Sequence, residues 1–150
     1  MRTFLLCAAA AVVMSGCGSK PDTGLAGLDT RTVTLPNGTR IEAEVKIKPA
    51  DMQQGMMFRE SLPPGQGMLF IHNQAGPYTY WMYNVRIPLD IIWMDANRRI
   101  VEISANTPPC KTKASECPSY GGHYRSLYVL ELGGGEAARY GLKPGDTLTF

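Results

Sequence analysis

No cluster of basic residues occurs anywhere in this chain, and 15 Lys and Arg against 13 Asp and Glu leave a formal charge of only +2. Such a balance offers no electrostatic footprint for a nucleic-acid backbone, so no nucleic-acid partner is expected. Histidine is nearly absent, with His72 and His123 alone. Neither sits in a His-Glu-x-x-His motif, no Gly-x-Ser-x-Gly elbow is present, and no glycine-rich loop runs into Lys and Ser or Thr. The familiar zinc peptidase, serine hydrolase and phosphate-loop chemistries therefore lack their residues, and no motif asks for a cofactor. Internal repeats and low-complexity stretches are also missing. The longest apolar run, Phe4 to Met14, is too short to span a bilayer.

That run belongs instead to an export signal: Arg2 supplies the positive start, and Ser15-Gly16 the small residues before Cys17. Met14-Ser15-Gly16-Cys17 resembles the bacterial lipobox, in which the cysteine is acylated and becomes the first residue of the mature chain. The expected organisation is a lipoprotein signal over residues 1–16, a lipidated tether over 17–31 rich in Gly, Pro, Asp, Thr and Ser, and one domain over 32–150. Acyl chains on Cys17, each worth about 0.8 kcal/mol per buried CH₂, would hold the protein on a membrane. The expected place is the cell envelope. Gly18 after Cys17 points to the periplasmic face of the outer membrane where a cell has two membranes.

Cys7 leaves with the signal, so Cys110 and Cys117 remain as an even pair in an exported chain, most simply a disulfide closing a short loop. Alternatives stay open: a metal site recruiting His72 or His123, or a Cys110/His123 nucleophile pair if the thiol stays reduced. The methionines Met52, Met56, Met57, Met68, Met82 and Met94 suit core filling, with Cu(I) as the soft-ligand alternative.

Along the domain, Ile41, Ala43, Val45 and Ile47 alternate with Glu42, Glu44 and Lys46, and Asn37-Gly38 separates this run from Thr32–Leu35. The pattern predicts a hairpin. Pro49 opens a short helix that Gly55 ends. Strands are expected at Met68–Ile71, Tyr78–Tyr83, Leu89–Met94, Arg99–Ala105, Leu127–Leu132 and Thr147–Phe150. A helical turn falls at Glu136–Tyr140, and a long irregular loop covers Thr107–Tyr124. Many short strands with turn signals between them predict an all-β fold, a sandwich or jelly roll or a small barrel, with one or two short helices.

The stretch from Gly65 to Asp95 holds both tryptophans, and within it Asn84 and Asp90 stand among apolar residues on either side of Ile87-Pro88. Polar groups in such company are costly unless partnered. Either they cap turns or they face a ligand. Gly55-Met56-Met57-Phe58-Arg59, Gly67-Met68-Leu69-Phe70, Trp81-Met82, Asn84, Ile87-Pro88-Leu89-Asp90-Ile91 and Pro108-Pro109-Cys110 with Cys117-Pro118-Ser119-Tyr120 resemble the family of domain of unknown function 192, also called UPF0127. The resemblance runs from about Thr32 to Phe150 and implies a compact β-domain, often exported, without an assigned activity. Tyr80, Tyr83 and Val85-Arg86 depart from the residues usual there, which moves a cation from the position of Tyr83 to Arg86.

Arg59, Trp81, Met82, Asn84 and Asp90 are accordingly the candidate binding residues, an aromatic flat with a few polar groups that suits a glycan or small amphipathic ligand. A structural pairing of Arg59 with Asp90 or Glu60 is the competing reading of that residue. The expected function is a non-catalytic envelope lipoprotein that binds a small ligand, glycan or partner. The alternative is a carboxylate-dependent hydrolase of envelope glycans using Asp90 with a second acid. No catalytic or metal-binding residue is otherwise assigned.

Overall fold

A computed structural model describes residues 29–150; the signal, Cys17 and the tether up to Leu28 lie outside the described residues. The strands are β1 (Thr30–Thr34), β2 (Arg40–Lys46), β3 (Gln66–Gly76), β4 (Thr79–Trp81), β5 (Leu89–Met94), β6 (Ile100–Thr107), β7 (Ser119–Gly121) and β8 (Ser126–Gly133). Two short helices, α1 (Pro49–Gln54) and α2 (Glu136–Arg139), and a 3-10 turn at Ala114–Glu116 complete the elements. The all-β expectation holds, and β1 takes in Thr30 and Arg31 at the end of the expected tether. The barrel option does not hold: a six-stranded sheet in the order β1-β2-β3-β8-β5-β6 stays open, and β4 pairs with β7 as a separate ribbon.

Local chemistry explains both hairpins. Between β1 and β2, Gly38 takes φ +84°, which the turn demands, and Asn37 accepts the Thr39 N–H at 2.9 Å. Between β5 and β6, Asp95 accepts the N–H groups of Asn97 and Arg99 at 2.8 and 3.0 Å. β2 and β3 run parallel, so the chain needs a crossover there, and α1 with the Pro63-Pro64 loop supplies it.

The sheet buries both faces. On one, Ile41, Ala43, Leu69, Leu130, Leu132, Ile92 and Met94 meet Leu142 and Leu148. On the other, Met68, Phe70, Val129, Ile91 and Trp93 meet Met56, Met82 and Val85. Each such side chain contributes about 1.5–3 kcal/mol by leaving water. All six β5 residues are buried, because layers cover this strand on both sides. Alternation then decides orientation: Asp90 shares its face with Ile92 and Met94, whereas Glu131 shares its face with Val129.

The expected last strand is shorter than its pattern. Thr147 pairs only with Arg99 and Thr149 only with Thr34, so this segment touches the beginning of β6 and the end of β1. Before it, Lys143-Pro144-Gly145-Asp146 forms a turn in which Gly145 takes φ +100° and the Asp146 N–H donates to the Lys143 carbonyl at 3.2 Å. The irregular loop contains β7, and Cys110 and Cys117 form the expected disulfide at 2.05 Å. Among the described residues no helix is long and apolar enough to cross a membrane.

Candidate ligand groove beside the first helix

Strand β4 lies over the second face of the sheet, held there by Trp93. The Trp93 indole N–H donates to the Tyr78 carbonyl at 2.9 Å, and the Tyr80 ring meets Trp93 edge-on at 5.9 Å. Tyr80 also packs edge-on against Phe70 at 5.1 Å. Its hydroxyl lies 3.2 Å from His72 Nε2, and His72 stacks on Tyr78. Burial holds the His72 imidazole down at about 4, so the ring is neutral at ordinary pH. Burial raises the Tyr80 phenol, with Glu131 and Tyr78 adding to it.

Between this aromatic ribbon and α1 runs a surface groove. One hollow of about 240 Å³ is lined by Met52, Gln53, His72, Tyr78, Tyr80 and Trp81, and a second of about 340 Å³ by Gln53, Gln54, Met57, Trp81 and Tyr83. Trp81 belongs to both and is 38% exposed. Its ring leans on Tyr83 at 5.3 Å. Beneath them lies a cavity of about 30 Å³ whose walls include Met56, Phe70, Tyr80, Trp81, Tyr83 and Glu131.

Glu131 is the unexpected residue. Its carboxyl is enclosed, and its Oε2 has no hydrogen-bond partner. Burial pushes the acid up to about 8, against a smaller pull from Arg59 in the other direction. In register across β3, Met68 pairs with both Glu131 and Glu44, so two acids lie in one row on one face. Glu44 is treated differently. Burial alone would raise it, but ion pairs with Lys46 and Arg59 outweigh that and leave it below the usual carboxylate range.

The sequence-derived candidates therefore separate. Trp81 lines the groove, whereas Arg59 lines neither hollow nor the cavity and pairs with Glu44. Neither partner expected for Arg59 is the one found, and Glu60 pairs with Arg86. Met82 is wholly buried in the second core. Asn84 occupies the left-handed region at φ +57°, a turn conformation that Asn tolerates, and its backbone carbonyl accepts the Phe58 N–H at 2.9 Å from the segment after α1. Asp90 lies on the opposite face of the sheet from Glu131 and is 0% exposed. Its Oδ1 accepts the Asn106 and Gly135 N–H groups at 2.5 and 3.0 Å, and its Oδ2 accepts that of Ala137 at 2.6 Å. An outward-facing Asp90 is thus overturned: the carboxylate is closed off from solvent and holds three main-chain donors, and neither the binding nor the hydrolytic role fits it.

Glu131 carries the same readable signal in the sequence as Asp90. It is the one acid in the apolar run Leu127–Leu132. The joining of Arg59 to Glu44 had no such signal, since it depends on strand register and the crossover.

The DUF192 family model, described as "Uncharacterized ACR", matches residues 32–150. The crystal structure of a protein of unknown function from Novosphingobium aromaticivorans DSM 12444 is similar at 35% identity and a TM-score of 0.71, covering 84% of this chain and 89% of that one. A putative transcription regulator from Sinorhizobium meliloti 1021 is similar at 30% identity and a TM-score of 0.70, covering 79% of this chain and 89% of that one. No curated protein matches the chain.

Proposed function

Because the chain belongs to the DUF192 family, whose description assigns no activity, we propose from its own residues that it is a lipid-anchored envelope protein binding a small ligand in the groove between α1 and β4. The observation that carries the binding reading is Trp81, a large aromatic side chain left partly in water between two hollows that also present the Gln53 and Gln54 amides. Apolar walls with a few polar groups are the usual make-up of a ligand site. A ring supplies area at little entropic cost, and amides orient the ligand. Asp90 takes no part, and the other buried acids, Glu44, Glu131 and Glu136, do not supply two free carboxylates in one place, since Glu44 is ion-paired and Glu136 lines a different hollow from Glu131.

Thermal-shift measurements across glycans and small amphipathic molecules test the groove. Stabilisation of the wild type by a panel member is expected, reduced about tenfold in apparent affinity by Trp81→Ala, consistent with loss of a central aromatic contact. Identical responses from both proteins end the proposal. The lipid anchor rests on the Met14–Cys17 tetrad and is checked separately. Wild type is expected in the detergent phase of a two-phase extraction and Cys17→Ala in the aqueous phase.

A further inference from the structure

We infer that the cavity under Trp81 is a head-group pocket for a primary ammonium, with the Glu131 carboxyl as its counter-ion and the groove as the channel for an alkyl stem. This rests on the groove reading and gives its ligand a class.

The cavity walls carry one acid and no basic side chain. The one acid there can pair only with a cation, once it has given up its proton. The rings of Phe70, Tyr80, Trp81 and Tyr83 line the same space, and the face of an aromatic ring attracts positive charge. Size narrows the choice further. About 30 Å³ admits a group of roughly the dimensions of one water, which an –NH₃⁺ terminus matches and a sugar ring or a trimethylated ammonium exceeds. The stem above it would lie against Met52, Met57 and Trp81, which are long or flat apolar surfaces.

Glu131 Oε2 has no partner, although buried polar oxygens are almost always satisfied. Glu131 lines the cavity, and the charged and polar groups nearest its carboxyl are engaged elsewhere. Arg59, the following segment's cation, and Lys46 of β2 are both engaged by Glu44. On β4 the Tyr80 hydroxyl is turned to His72 of β3, which is neutral. An entering ammonium requires a carboxylate, so the proton that burial keeps on Glu131 up to about pH 8 must leave for solvent, one for each ligand bound. A neutral hydroxyl asks for no such release.

Calorimetric titration of the full chain with n-butylamine, 1-butanol and tetramethylammonium tests this, in two buffers of different ionisation enthalpy. Butylamine is expected to bind and to release about one proton near pH 7, with release vanishing above about pH 9, where the acid is already ionised. Glu131→Gln, close to isosteric, is expected to weaken butylamine at least about tenfold, and butanol and tetramethylammonium are expected to bind no better to wild type than to the variant. Proton release is read on wild type alone, so a misfolded variant does not spare the idea. Butylamine binding without proton release, equal binding by Glu131→Gln, or butanol binding as well as the amine overturns it. If the amine fails while a panel ligand still responds to Trp81→Ala, the cavity is a water site only and the groove reading survives. If neither responds, both fall.

Discussion

The Asp90 carboxylate accepts three backbone N–H groups that come from two separate segments, the end of β6 and the joint into α2. Removing it strands those donors out of water, so Asp90→Ala is expected to lower stability by about 3 kcal/mol or more, read as a shift in denaturant midpoint at unchanged slope. Glu131 meets the same burial without such donors and keeps its proton instead. Its raised pKa means that the folded state holds a proton that the unfolded chain gives up from about 4.5, so stability declines as pH rises from 4.5 to about 8. His72 works the other way: held down at about 4, it adds stability above 6.5 that is lost as pH falls toward 4. Of the two, only Glu131 still changes between about 6.5 and 8. Over that window the wild type is expected to lose stability with rising pH, and Glu131→Gln to show a flatter profile in urea titrations. The sequence showed that both acids sit among apolar residues. It could not show which had main-chain donors waiting, since those are 16 and 47 residues away for Asn106 and Ala137.

At the scale of elements, the ribbon of β4 and β7 makes the groove, and Trp93 seats the ribbon. Gly121 crosses directly over that indole at φ +75°, where an added Cβ would stand 2.2 Å from Trp93 Cζ2. Gly121→Ala is expected to cost about 2–3 kcal/mol through this overlap and the positive φ. The same variant should blunt the response of Trp81 fluorescence to any groove ligand, because β7 loses its seat. Local signals marked the hairpins well: Asn37-Gly38 and Asp95–Arg98 carry their turn chemistry within four residues. β7 was missed because Ser119–Gly121 has no alternating pattern; packing on Trp93 and pairing with β4 make it a strand. Helix α1 was legible from Pro49 and Gly55, yet its place above Glu131 was not.

Over the whole molecule, strand order is the least legible feature, because β3 lies between β2 and β8, strands far from each other along the chain. Alternation shows that a strand exists and which residues share a face; it does not name the neighbour. The family resemblance of the central motifs supplied the domain limits, and the family match covers the same residues. The terminal segment shows what alternation cannot see. Leu148 is 1% exposed, and the flanking Thr147 and Thr149 reach β6 and β1. Leu148→Ala is expected to cost about 2–4 kcal/mol, as for other core leucines, measured by chemical denaturation.

That segment also acts as a clasp: Thr149 exchanges two backbone hydrogen bonds with Thr34 of β1, while Leu148 donates to Arg98 just before β6. Thr149→Pro, which removes one of those N–H donors, should therefore speed amide exchange at both borders of the sheet together, although the two lie at opposite ends of the strand order.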